Sequence, residues 1–131
     1  MKRLNIILLI IILFLVSCVQ NTRINAAKKK ADFIINSLDQ SDVIKYFPQT
    51  KFDSGIVKSF IKKNIGNCNW KAKKLIKFST QNIDINSTKE VNFIYDYLID
   101  CGEFRFSLSF NLDEQNPLFH YFLIQPILPI N

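Results

Sequence analysis

Phe104-Arg105-Phe106-Ser107-Leu108-Ser109-Phe110-Asn111-Leu112 alternates between apolar and polar side chains without a break. Successive side chains of a strand point to opposite faces. Phe104, Phe106, Leu108, Phe110 and Leu112 therefore share one face, and Arg105, Ser107, Ser109 and Asn111 the other. This pattern is that of an antiparallel strand with one side packed on a core and the other wet or functional.

Two stretches upstream read the same way. Val91, Phe93, Tyr95, Tyr97 and Ile99 form one face of residues 91–99. In residues 70–78, Trp70, Ala72, Lys74, Ile76 and Phe78 oppose Lys71, Lys73, Leu75 and Lys77, with the aromatic and β-branched enrichment of strands. Residues 79–90 are rich in Gln, Asn, Asp, Ser and Thr, which is turn chemistry. Residues 100–103 read as a tight turn and residues 111–117 as a polar loop. Residues 118–127 read as a last strand, with Pro126 and Pro129 ending its pairing.

The first half of the domain is helical in pattern. Asn25 is placed to cap a helix from Ala26, with Ala27, Ala31, Ile34, Ile35 and Leu38 on one stripe. Ser41 or Asp42 restarts a short helix through Val43, Ile44 and Phe47, ended by Pro48. Ser54 caps a third, with Ile56, Val57, Phe60, Ile61 and Ile65 as its stripe and Gly66 as its C-cap. Helices followed by antiparallel strands predict an α+β domain: N-terminal helices packed on a four-stranded antiparallel sheet.

The N-terminus reads as an address. Lys2 and Arg3 precede an unbroken apolar run of 11 residues, 6–16. That is shorter than the roughly 20 residues a transmembrane helix needs and suits the core of a secretory signal. The run ends in Leu15-Val16-Ser17-Cys18, which resembles the bacterial lipobox. The resemblance implies a signal peptide over residues 1–17, cleavage before Cys18 and lipid on the Cys18 sulfur. The alternative is an ordinary signal peptide with an incidental cysteine. Val19 follows Cys18 where an aspartate is absent, which resembles lipoproteins sent to the outer membrane, facing the periplasm. Residues 18–25 read as a polar lipidated tether, and residues 26–131 as one envelope domain.

With Cys18 lipidated, Cys68 and Cys101 remain, an even pair in an oxidising compartment. A hairpin that sets Cys68 opposite Cys101 also sets Trp70 by Ile99, Ala72 by Tyr97, Ile76 by Phe93 and Phe78 by Val91. The apolar faces then coincide. This points to a Cys68–Cys101 disulfide, the alternative being two buried free thiols.

The layout over residues 26–127 is similar to the nuclear transport factor two-like (cystatin-like) superfamily. Residues 38–42 with Val43, Ile44 and Phe47 resemble its helix–break–helix opening, and Phe60 to Ile65-Gly66 its helix leading into the sheet. That superfamily includes enzymes, ligand binders and interaction domains, so the resemblance leaves function open. No position matches the acidic–histidine pairs of its enzymes.

Little else carries chemistry. His120, the one histidine, shares a predicted face with Leu118, Phe122 and Ile124. It can be a general base with Asp96 or Asp100, or, as is commoner, a packed strand residue. Asp96, Asp100 and Glu103 lie near one turn and can hold a cation or be solvated charges. No zinc ligand set remains once the cysteines pair. Neither a Gly-x-Ser-x-Gly elbow nor a glycine-rich phosphate loop occurs among only three glycines. Asn86-Ser87-Thr88 fits the glycosylation pattern, which has little meaning in most bacteria.

The chain carries a net charge of +6. Without Lys2 and Arg3, 15 basic residues face 11 acidic ones, an excess of 4. This mild excess suits proximity to anionic lipid and argues against nucleic acid as a partner. Lys28, Lys29 and Lys30 can face lipid head groups or be a solvated face. Lys71, Lys73 and Lys77 can contact an acidic partner or guard an edge strand. No cofactor or metal is implied. The expectation is a non-enzymatic, lipid-anchored interaction module, accessory or immunity-type, with an envelope protein as partner. The alternative is a binder of a small apolar or lipid ligand between sheet and helices.

Overall fold

The computed structural model describes residues 2–128. Helix α1 spans Lys2–Asn36, a 3-10 segment Ser41–Tyr46, and helix α2 Ser54–Ile65. A short 3-10 turn, Trp70–Ala72, leads to strands β1 (Lys74–Ile85), β2 (Thr88–Ile99), β3 (Gly102–Asn111) and β4 (Leu118–Pro126). The strands form one open antiparallel sheet in the order β1-β2-β3-β4. This is the expected α+β class, a long N-terminal helix with a four-stranded antiparallel sheet. Pro126 is the last residue of β4; Pro129 lies outside the described residues.

The core lies between the helices and one face of the sheet. Ala27, Ala31, Ile34 and Ile35 of α1 and Val57, Ile61 and Ile65 of α2 are buried with Val91, Phe93, Tyr95, Tyr97 and Ile99 of β2. Phe106, Leu108 and Phe110 of β3 are fully buried beside them, and Leu112 just beyond that strand is nearly so. The alternation of β2 and β3 therefore assigns their core faces correctly. Burying such a side chain contributes about 1.5–3 kcal/mol.

Several expectations are corrected. Helix α1 does not start at Ala26: it runs unbroken from Lys2, and Asn25 is inside it rather than its cap. Residues 18–25 contain no Gly or Pro to stop it. They are helical rather than slack, and the Thr22 hydroxyl donates to the Cys18 carbonyl at 2.9 Å. Residues 41–46 wind as a 3-10 segment. Helix α2 is capped by Asp53, not Ser54: the Asp53 carboxylate accepts from the Ile56 amide at 3.0 Å. Within its stripe, Ile56 is exposed.

The largest correction concerns β1. Residues 70–72 are a 3-10 turn rather than strand, because Trp70 is drawn into the core. Its indole packs against Tyr97 and Phe106, with ring centroids 5.4 and 5.1 Å away. Its Nε1 donates to the Ile35 carbonyl at 2.9 Å. The strand then continues through the polar residues expected to be turn. Leu75 faces Tyr97, Phe78 faces Tyr95 and Ile85 faces Thr88, not the pairs inferred from a Cys68–Cys101 alignment. The turn is the two residues Asn86 and Ser87, both left-handed at φ 51° and 66°. Paired positive φ values are what a tight hairpin needs to match strand twist.

The elements give the sheet two distinct ends. The β1–β2 turn and β3–β4 loop lie beside the N-terminal half of α1. Ser87 and Lys89 border one shallow cleft with Leu15, Val16 and Val19. Arg23 Nη1 donates to the Leu112 and Asp113 carbonyls at 2.8 and 3.0 Å. At the other end, Trp70, Cys68 and the β2–β3 turn gather around the C-terminal end of α1.

Candidate functional site: an apolar cleft between helix and sheet end

Residues 2–19 of α1 carry no burial in the fold, and an 18-residue window of this helix has mean hydropathy 2.4. Such a helix has the length and composition of a signal sequence or a membrane anchor. Cys18 is exposed, with a free thiol.

Cys68 and Cys101 stand at disulfide distance, with Cα atoms 5.6 Å apart. They are not cross-strand partners. Cys68 comes from the link after α2 and Cys101 from the β2–β3 turn. The pair was legible from its even count, while the register inferred alongside it is not the sheet's own. Among the described residues the one cluster with metal-ligand spacing is Cys68, Asp100 and Cys101, and its two sulfurs face each other. Asp100 instead accepts from the Asn69 amide at 2.9 Å. Asp96 is held by Arg105, Nε to Oδ1 at 2.8 Å and Nη2 to Oδ2 at 3.0 Å. This bidentate grip holds Arg105 fully protonated by hydrogen bonding and then by charge. Asp96, Asp100 and Glu103 are thus not brought together.

His120 is displaced from its predicted face. A register shift between Ser109 and Phe110, opposite Tyr121 and Phe119, leaves His120 unpaired. Such a bulge re-aims a side chain. Ile124 is in the core as expected, but Phe119 is buried and Leu118 exposed in place of the predicted alternation, and the His120 Nε2 lies 3.4 Å from Glu90 Oε1. Neither Asp96 nor Asp100 is its partner.

The lysines expected to be free near the N-terminus are partly committed. Lys28 bonds the Asp32 carboxylate at 2.6 and 2.7 Å and lies 4.6 Å over the Phe78 ring. Lys30 donates to Asn116 Oδ1 and to the Pro117 carbonyl at 3.0 Å, strapping the β3–β4 loop onto α1. Burial without a carboxylate pushes the Lys30 amine below its usual pKa. Lys29 is exposed.

That strap frames a concavity. A half-open cleft of about 860 Å³ separates α1 from the β3–β4 loop and the 3-10 segment. Phe110 and Phe119, stacked 5.1 Å apart, lie at its inner side. Phe33 and Tyr46 border it edge to face at 4.7 Å, both exposed. Lys29, Asp113 and Glu114 add charges of both signs to its lining. Chemically it can desolvate an apolar group and offer mixed charge around it. His120 is not among its lining residues. Sequence reasoning missed this site. The available signal was Phe33, a large aromatic off the Ala27–Ala31–Ile34 stripe.

The fold and site define an α+β domain with an apolar N-terminal helix and an open, largely apolar cleft. Comparison with protein-family models, curated proteins and solved structures finds no match.

Proposed function

We propose that this chain is a lipid-anchored envelope protein that works as a non-enzymatic, protein-interaction module, accessory or immunity-type. Residues 1–17 are its signal peptide, Cys18 carries the lipid, and the domain faces the periplasm from the outer membrane. The sequence around Cys18 and the apolar helix support the address. Two or three acyl chains, at about 0.8 kcal/mol per buried methylene, hold such a domain durably on a bilayer. The cleft is the observation that carries the binding role. Aromatic edges exposed beside a concave apolar floor are where a partner's anchor residue gains most from burial.

One observation favours a second reading. A cleft of about 860 Å³ falls within the size range of small-molecule sites, so an apolar or lipid ligand is the alternative occupant. The test replaces Phe33 with a photo-crosslinking residue in the full-length protein, in cells, beside a Cys18→Ala version. A stoichiometric protein adduct, weakened in Cys18→Ala, supports the partner reading. A lipid adduct without a protein adduct replaces it with the ligand reading, and no adduct from Phe33 removes the cleft as the site.

A further inference from the structure

Charge is unevenly distributed along this chain. Between Ser54 and Ile83 there are seven lysines and no acidic residue. This block forms α2, the 3-10 turn and most of β1. Lys58 and Lys62 border a shallow cleft with Cys68 and Trp70, and the Lys73 Nζ lies 5.0 Å over the Trp70 ring. Lys58, Lys62, Lys63, Lys71, Lys74 and Lys77 are exposed. Among the described residues none of these six has a carboxylate within ion-pair distance or a side-chain hydrogen bond.

Edge protection explains lysines on β1, since a free strand edge invites pairing and charge discourages it. It does not explain Lys58, Lys62 and Lys63 on a helix or Lys71 in a turn. Interspersed with the charges are exposed apolar side chains, Leu75, Ile76 and Phe78. Among the described residues no strand neighbours the outer edge of β1, so its backbone groups there are unpaired by the sheet. A purely anionic polymer or a bilayer would use the charges and leave the strand edge idle. A polypeptide with alternating acidic and apolar residues uses all three features. The location agrees with the lipid reading: Lys71 to Lys74 lie at the sheet end by Ile35, opposite the end beside Val19, next to Cys18.

We propose that the lysine-rich end, α2 through the free edge of β1, docks an acidic polypeptide segment added alongside β1. This rests on the interaction-module reading but uses a surface separate from the cleft. The test uses the full-length chain in detergent micelles and a peptide of about ten residues alternating Glu and Val, one strand length. Binding is expected to weaken roughly tenfold or more in Lys62→Gln/Lys71→Gln/Lys74→Gln. It should weaken likewise between low and about 0.5 M salt. Arginine at the same three positions should retain binding, as should Phe33→Ala. Equal peptide binding by the glutamine variant overturns the proposal, and so does a wild type that ignores the peptide while its preference for phosphatidylglycerol over phosphatidylcholine vesicles is lost in that variant. Peptide binding with no adduct from Phe33 would sink the cleft alone and leave this surface standing.

Discussion

The Tyr95 hydroxyl donates to the Asp32 carboxylate at 2.6 Å, joining the middle of the sheet to α1 across 63 residues of sequence. The same carboxylate accepts from Lys28, so one acidic group ties helix, sheet and cation together. Tyr95→Phe keeps the ring and removes the donor. The expected loss is about 1 kcal/mol, less than for a buried charged bond because Asp32 is 42% exposed. Urea unfolding checks it, and a loss no larger in wild type than in an Asp32→Ala background would show the bond contributes nothing.

Alkaline pH should weaken the fold through tyrosine. Burial first, and then the bond to Asp32, push the Tyr95 phenol well above its ordinary value; burial and the Asp32 charge raise Tyr97. A folded pKa above the unfolded one, about 10, gives stability that is complete below pH 10. It is lost as pH rises through the folded values. Melting temperatures should therefore fall above pH 10, and Tyr95→Phe/Tyr97→Phe should flatten that fall. An unchanged slope in the double variant would rule this origin out.

The β1–β2 turn holds Ser87 at φ 66°, where a side chain is disfavoured and glycine is not. Ser87→Gly is expected to stabilise by roughly 0.5 kcal/mol, part of the turn's gain being offset by the freer unfolded chain. Thermal melting of the two proteins decides it; a lower melting temperature would refute the turn geometry.

Separating Cys68 from Cys101 should cost about 3–4 kcal/mol, the chain-entropy value for their spacing of 33 residues. Cys68→Ala/Cys101→Ala and the reduced wild type should melt alike and below the oxidised protein. Identical melting with and without reductant would mean the two thiols stay free.

Alternation was legible wherever a strand has one apolar and one polar face. Residues 104–112 and 91–99 have both, and their core faces are as expected, although Ser107, Ser109 and Asp96 on the polar faces are buried rather than wet. β1 is an edge strand with no buried residue, so no period is imposed on residues 79–85 and they read as loop. Its register followed from assuming that Cys68 and Cys101 face each other across a ladder, whereas Trp70 enters the core and takes those residues out of the sheet. The same limit applies to the site. The cleft joins Phe33, Tyr46 and Phe119 from three elements, and no local spacing encodes that meeting. His120 left its expected face through one extra residue in β4, which alternation alone cannot place.

The unbroken α1 also has a mechanical meaning. A pull on its N-terminal half meets no slack before Ala27 and Ala31, because residues 18–25 are already wound and Arg23 grips the β3–β4 loop. Tension therefore arrives at the whole helix–sheet contact at once, as shear across many small contacts, rather than peeling them one by one. A force applied at residue 18 therefore reaches the folded domain through a rod instead of a string.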